Sequence, residues 1–305
     1  MAKVIIAIHG LRNKPSKEIL EKWGILSIKE GLQRLSIEVD LPKFEVAYWA
    51  DILYDKPLSP NEKNKKSPYY LREDYTPARN IKTFTGHPYQ RKVFLGLKKI
   101  IYAIFLNRNY KLRFSSVSKK FIHNNFKDLE VYFTDGCDNE YTDDCKKRDQ
   151  INERLVRALK KHKNDDIFLV AHSMGSIIAF DVLSFIVNHN ITVNTFATIG
   201  SPLGAPFVIS RIARLYKSKN QGHIKLQTPE SVTKRWYNFS DINDPIALDF
   251  KLSDDFSANS KGVKVKDFIV ENTYKKNGWA NHHKSIGYLR TPEFVKTLVE
   301  FINEK

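Results

Sequence analysis

A chain of 305 residues with 42% hydrophobic and 12% aromatic residues can bury a large core, which excludes a disordered protein. No stretch approaches the roughly 18 uninterrupted apolar residues of a membrane span. The apolar start is cut short by His9 and Gly10, too soon for a signal peptide, so a cytoplasmic protein is expected. The net charge of +16 is uneven: no acidic residue lies between Asp74 and Asp128, while twelve Lys or Arg fall between Arg79 and Lys127. The basicity therefore belongs to one segment and not to the fold as a whole.

In chain order, Lys3 to Ile8 reads as a buried strand ended by Gly10, and Ser16 to Leu35 has apolar residues at helical spacing. Phe44 to Trp49 reads as a second strand. Residues 54–127 break into Pro-containing loops and basic helices, expected as an insertion or cap within a single domain spanning 1–305. Drawn as a helix, Arg91 to Leu106 puts Val93, Leu97, Ile100, Ile101, Ile104 and Phe105 on one face and Arg91, Lys92, Lys98 and Lys99 on another. Such a helix suits a cap over a cleft or an interfacial helix on an anionic membrane, with the protein then peripheral there. No recognition motif accompanies the charge, so nucleic acid is not an expected partner.

Cys137 and Cys145 lie in the acidic loop DGCDNEYTDDC, which offers neither a disulfide framework nor paired metal ligands. They are expected as free thiols in a solvated loop, and Asp135, Asp138 and Asp143 are not expected to hold a cation. Asp149 to His162 reads as an amphipathic helix, then come a strand over Ile167 to Val170, a helix over Met174 to Asn188 and a strand over Val193 to Ile199. Further strands are expected over Arg235 to Phe239 and Val263 to Val270, and a closing helix over Pro292 to Asn303. Strands alternating with helices predict an α/β fold, a doubly wound, mostly parallel sheet covered on both faces.

The segment IFLVAHSMGSIIAFDVL, residues 167–183, turns from a buried strand into a helix at His172, Ser173 and Met174. A hydroxyl at such a corner stands above the sheet edge beside unpaired N–H groups at the positive end of a helix, the geometry of a nucleophile elbow. Ala171 replaces the first glycine of G-x-S-x-G. A serine needs a histidine to take its proton, and that histidine needs a carboxylate. In a doubly wound sheet both should come from loops after later strands, in the order acid then base. Asp241 and Asp244 follow one later strand, and His282 and His283 follow the next. Ser201, in TIGSPLGAP, is a poorer nucleophile because Pro202 disfavours the helical corner.

Four segments in order, VIIAIHGLRN, VAHSMGSIIAFDVL, FATIGSPLGAP and the pair NFSDINDPIAL with NHHKSIGYLRTPEF, resemble the α/β-hydrolase superfamily and within it the lipase-like serine esterases. The resemblance covers residues 3 to about 298 and leaves 54–127 unmatched. It implies a serine hydrolase acting on carboxylic esters, of an acyl lipid or another apolar ester, through an acyl-Ser173 intermediate and without a cofactor or metal. The backbone N–H groups of Leu11 and Met174 would form the oxyanion hole. Asp244 is preferred as the acid because NDPI resembles a DPV-type loop, with Asp241 as the alternate. His283 is preferred as the base because it stands five residues before Tyr288 in a run resembling H-S-x-x-G-Y, with His282 as the alternate. The alternative function is a non-catalytic protein that binds anionic surfaces on a degenerate hydrolase scaffold.

Overall fold

The computed structural model describes residues 1–78, 127–134, 141–187, 190–219, 226–247 and 249–304. Most of the basic segment, including the Arg91 to Leu106 stretch and its expected membrane face, lies outside the described residues. Strand β1 (Lys3–Ile8) is followed by helix α1 (Lys17–Arg34), β2 (Lys43–Ala47) and the one-turn helix α2 (Ala50–Leu53). After α3 (Lys127–Tyr132) come α4 (Asp143–Lys161), β3 (Asp166–His172), α5 (Met174–Asp181) with a π-helical turn over Val182–Ile186, and β4 (Val193–Ile199). Helix α6 (Pro206–Lys219), β5 (Val232–Ser240) and β6 (Val265–Ile269) follow, then a short hairpin of β7 (Lys275–Lys276) and β8 (Trp279–Ala280). Helices α7 (Ser285–Leu289) and α8 (Pro292–Asn303) come last.

Strands β1 to β6 form a six-stranded parallel sheet in the order β2-β1-β3-β4-β5-β6. The period of two along each strand sorts apolar side chains between two cores. On one face, Val4, Ile6, Ile8, Ile167 and Leu169 pack with α4, α5 and α6 through residues such as Leu155, Ile178 and Ile209. On the other, Ile5, Phe168 and Val170 pack with α1, α7 and α8 through Ile28, Tyr288, Phe294 and Leu298. The expected doubly wound α/β architecture is observed.

Three local features differ from the sequence reading. Helix α4 begins at Asp143 and not at Asp149, because Thr142 caps it by accepting the Cys145 amide and Asp143 and Asp144 occupy the first turn. Cys145 is consequently buried and is disulfide-bonded, not the free thiol in a solvated loop expected from the sequence. The chain's other cysteine, Cys137, lies outside the described residues. Helix α6 occupies a segment to which the sequence reading assigns no element, and it opens with a proline at its first position and buries Val208, Ile209, Ile212 and Tyr216. Among the described residues no helix is long and apolar enough to cross a membrane.

The carboxyl ends of β1 and β3 meet closely. A Cβ on Gly175, in the first turn of α5, would lie 2.7 Å from the carbonyl oxygens of both Ile8 and His9. Those atoms are backbone and cannot move aside. Gly175→Ala is therefore expected to destabilise the fold by about 1 to 3 kcal/mol, read from urea unfolding. An unchanged midpoint would show that the helix does not depend on this approach.

Candidate active site

Ser173 is the residue between β3 and α5, with φ 55° and ψ −128°. A side chain at positive φ with such a ψ is strained, because this region is essentially restricted to glycine. The corner is held from several sides: the Ser173 N–H donates to the Ile199 carbonyl at 3.1 Å, and the Ser176 hydroxyl donates to the Ser173 carbonyl at 2.6 Å. Gly10 leaves the opposite side open, since a Cβ there would come within 2.6 Å of the Ser173 Cβ.

The Ser173 Oγ lies 2.8 Å from Nε2 of His283, and Nδ1 of His283 lies 2.9 and 2.8 Å from the two oxygens of Asp244. A carboxylate only accepts, so Nδ1 donates and Nε2 is left to accept the Ser173 hydroxyl proton. Asp244 also receives the Tyr288 hydroxyl at 2.7 Å and the Ile246 amide at 2.8 Å. Burial works against its ionisation, but the His283 interaction, the Tyr288 phenol and the Ile246 amide outweigh it and hold its pKa below the usual carboxylate range. The same burial and the facing carboxylate push the Tyr288 phenol well up, so it stays a donor.

Asp241 and His282 form a second carboxylate–imidazole pair, at 3.2 Å, that does not reach Ser173. Asp241 accepts the amides of Asn243 and Asn272, each at 2.7 Å, and its own N–H donates to the Tyr288 hydroxyl at 3.0 Å. It thus ties together the loop that carries Asp244. Ser201, the rival hydroxyl, is fully buried and bonded to the Ser176 hydroxyl at 2.8 Å.

Two histidines, the buried His9 and the half-buried His172, adjoin the site without an expectation from sequence beyond their position. His172 donates through Nε2 to the His283 carbonyl at 2.7 Å, and Asn272 donates to the carbonyls of His282 and Lys284 at 2.8 and 2.9 Å. Three successive carbonyls of the base loop are thereby fixed. His9 Nε2 accepts the Trp49 amide at 3.1 Å, so its Nδ1 carries the proton and donates to the Gly10 carbonyl at 2.9 Å. Burial keeps both imidazoles neutral, lowering His9 to about 3 and His172 well below its usual value.

Leu11 and Met174 flank the hydroxyl. Met174 opens α5, so its amide has no carbonyl one turn back in the helix, and among the described residues no acceptor takes the Leu11 amide. Ser173, His283 and Leu11 border a cavity of about 810 Å³. It is lined on one hand by the apolar side chains of Leu20, Trp23, Phe44, Val46, Val170 and Leu289, from α1 and the sheet, and on the other by charged side chains including Arg12, Lys14, Glu73 and Lys284. Among the described residues no cluster of three or more His, Cys, Asp or Glu could hold a metal ion.

The strain at Ser173 is testable apart from any reaction. Relieving a glycine-type conformation recovers about 1 to 3 kcal/mol, and glycine's extra freedom in the unfolded chain takes back about 0.5 to 1 kcal/mol. Ser173→Gly should therefore leave the unfolding free energy unchanged or raise it, by up to about 2.5 kcal/mol. A less stable variant would contradict the strained corner.

No curated protein matches the chain. The PGAP1-like alpha/beta domain, a family of α/β-hydrolase type, matches residues 118–289, which include Ser173, Asp244 and His283 and exclude β1 with its HGL end. That match spans more than half of the 305 residues. With the parallel sheet and the strand-to-helix corner at Ser173, it establishes that the chain belongs to the PGAP1-like alpha/beta domain family and has a hydrolase-like scaffold.

Proposed function

We propose that the protein is a serine hydrolase that cleaves carboxylic esters with an apolar acyl group. The observation that carries this reading is the hydrogen-bonded chain from Ser173 through His283 to Asp244 at a cavity whose lining includes Leu20, Trp23, Phe44, Val46, Val170 and Leu289. Ser173 Oγ attacks the ester carbonyl carbon while its proton passes to His283 Nε2, and the negative charge on the carbonyl oxygen meets the amides of Leu11 and Met174. As the tetrahedral intermediate collapses, His283 returns the proton to the departing alkoxide and an acyl-Ser173 remains. Water, deprotonated by the same imidazole, then attacks the acyl carbon, and the collapse of the second intermediate releases the acid and restores the Ser173 hydroxyl.

Each surrounding residue has a task in this scheme. Asp244 stays ionised, holds the Nδ1–H tautomer and stabilises the imidazolium that forms at each step. Asp241 and His282 support the loops and do not take part. A volume of about 810 Å³ with aliphatic and aromatic walls suits an acyl chain lying between α1 and the sheet. The basic segment 79–127 would bring the enzyme to anionic membranes where such esters reside.

Ser173→Ala should lower kcat for p-nitrophenyl esters by about 10⁴- to 10⁶-fold without unfolding the protein. His283→Ala and Asp244→Asn should each lose most activity, and His282→Ala and Asp241→Asn should retain far more. Full turnover by the Ser173 variant would end the proposal, and equal losses in the paired variants would leave both dyads with the same task.

The acyl-chain site has its own test. Leu20→Trp should fill the cavity under α1 and shift the ratio of kcat/KM for butyrate over decanoate esters upward by about tenfold or more, with the short ester little affected. An unchanged ratio would place the acyl chain elsewhere.

A further inference from the structure

The loop after β1 is gripped peptide by peptide. The His9 carbonyl accepts the Trp49 indole N–H at 3.0 Å, and the Gly10 carbonyl accepts His9 Nδ1–H. The next peptide, joining Leu11 to Arg12, is held at both ends: the Arg12 N–H donates to Asp128 Oδ2 at 2.6 Å, and the Lys14 ammonium donates to the Leu11 carbonyl. Lys14 also donates to the Arg12 carbonyl at 3.0 Å. Arg12 needs such support, because its φ of 70° is left-handed and uncommon for a side chain of that size.

We propose that Lys14 is a positioning residue for the reaction, holding the Leu11–Arg12 peptide so that the adjacent Leu11 N–H keeps its aim at the developing oxyanion. The inference rests on the hydrolase reading for its chemical meaning and on the hydrogen bonds alone for the grip. Asp128, itself fixed by the Tyr54 hydroxyl at 2.7 Å, holds the other end of the same peptide. A negative side chain on the N–H and a positive one on the C=O lie along the peptide dipole, so both charges favour one orientation.

The charge on Lys14 is exposed to a pH change near neutrality. Burial lowers it most, Lys284 and Arg12 push the same way, and Asp128 and Glu73 oppose, leaving its pKa at about 7. The neutral imidazoles of His9 and His172 also face it, and its charge disfavours their protonation. Below that value the ammonium grips the two carbonyls, and as pH rises through it the charged grip is lost. Arginine keeps its charge across the same range.

The test compares wild type with Lys14→Met and Lys14→Arg in two measurements. In hydrogen–deuterium exchange at pH 6, the peptide spanning residues 9–14 should exchange about tenfold faster in Lys14→Met than in wild type, with Lys14→Arg between them. In p-nitrophenyl butyrate turnover, Lys14→Met should lose roughly 10- to 100-fold in kcat with KM changed less than about threefold. Wild-type kcat should fall on the alkaline side of neutrality, and Lys14→Arg should carry that fall to higher pH. Equal exchange in all three proteins, an unchanged kcat in Lys14→Met, or an alkaline fall that stays in place in Lys14→Arg would each overturn the assignment. A wild type that turns over no ester would count against the hydrolase reading instead, and the exchange result would still decide the grip.

Discussion

The site depends on how closely the carboxyl ends of two neighbouring parallel strands approach each other. Register pairs Ile8 of β1 with Ala171 of β3, so Gly10 and Ser173 leave the sheet side by side. With no side chain on Gly10 or Gly175, the β1 loop and the first turn of α5 pack closely around Ser173, which sits in a strained conformation. The loop with the Leu11 amide and the corner with the Ser173 hydroxyl thus lie against each other, each also held by its own hydrogen bonds.

Around that contact the buried charges are arranged in complementary fashion. Asp244 is kept ionised in a largely covered position because four groups donate to it: His283, Tyr288 and the amides of Ile246 and Ala247. His9 and His172 do the reverse, staying neutral through burial and serving as fixed donors to carbonyls. A buried imidazole with one settled tautomer is a rigid strut, and here two such struts brace the loops on which Leu11 and His283 stand.

Much of this was legible from residue order. The short continuous apolar runs in KVIIAI and IFLVA and the change to helical spacing after Ser173 locate the buried strands and the corner, because a parallel strand covered on both faces leaves no room for polar alternation. Choosing His283 and Asp244 over their neighbours needed resemblance, since His282 and Asp241 also pair and only three-dimensional direction separates the dyads. The supporting shell was not legible. Tyr288, Asn272 and Lys14 act through contacts that join residues far apart in the chain or bend back onto local carbonyls, and neither leaves a spacing signal. Helix α6 was readable from Val208, Ile209, Ile212 and Tyr216, but the neighbouring Gly and Pro residues mask its start. The disulfide at Cys145 was hidden because an acidic stretch reads as solvated until Thr142 is seen to begin a helix within it.

A fluorophosphonate probe reads whether Ser173 is an activated nucleophile, because it reacts with a hydroxyl only where a base removes the proton. Incubation of the native protein with the probe, followed by peptide mapping, should find a single adduct on Ser173, at a rate that rises with pH on the acid side and is abolished by prior denaturation. An intact protein that stays unlabelled, or an adduct on another residue with Ser173 unmodified, would show that Ser173 is not an activated nucleophile.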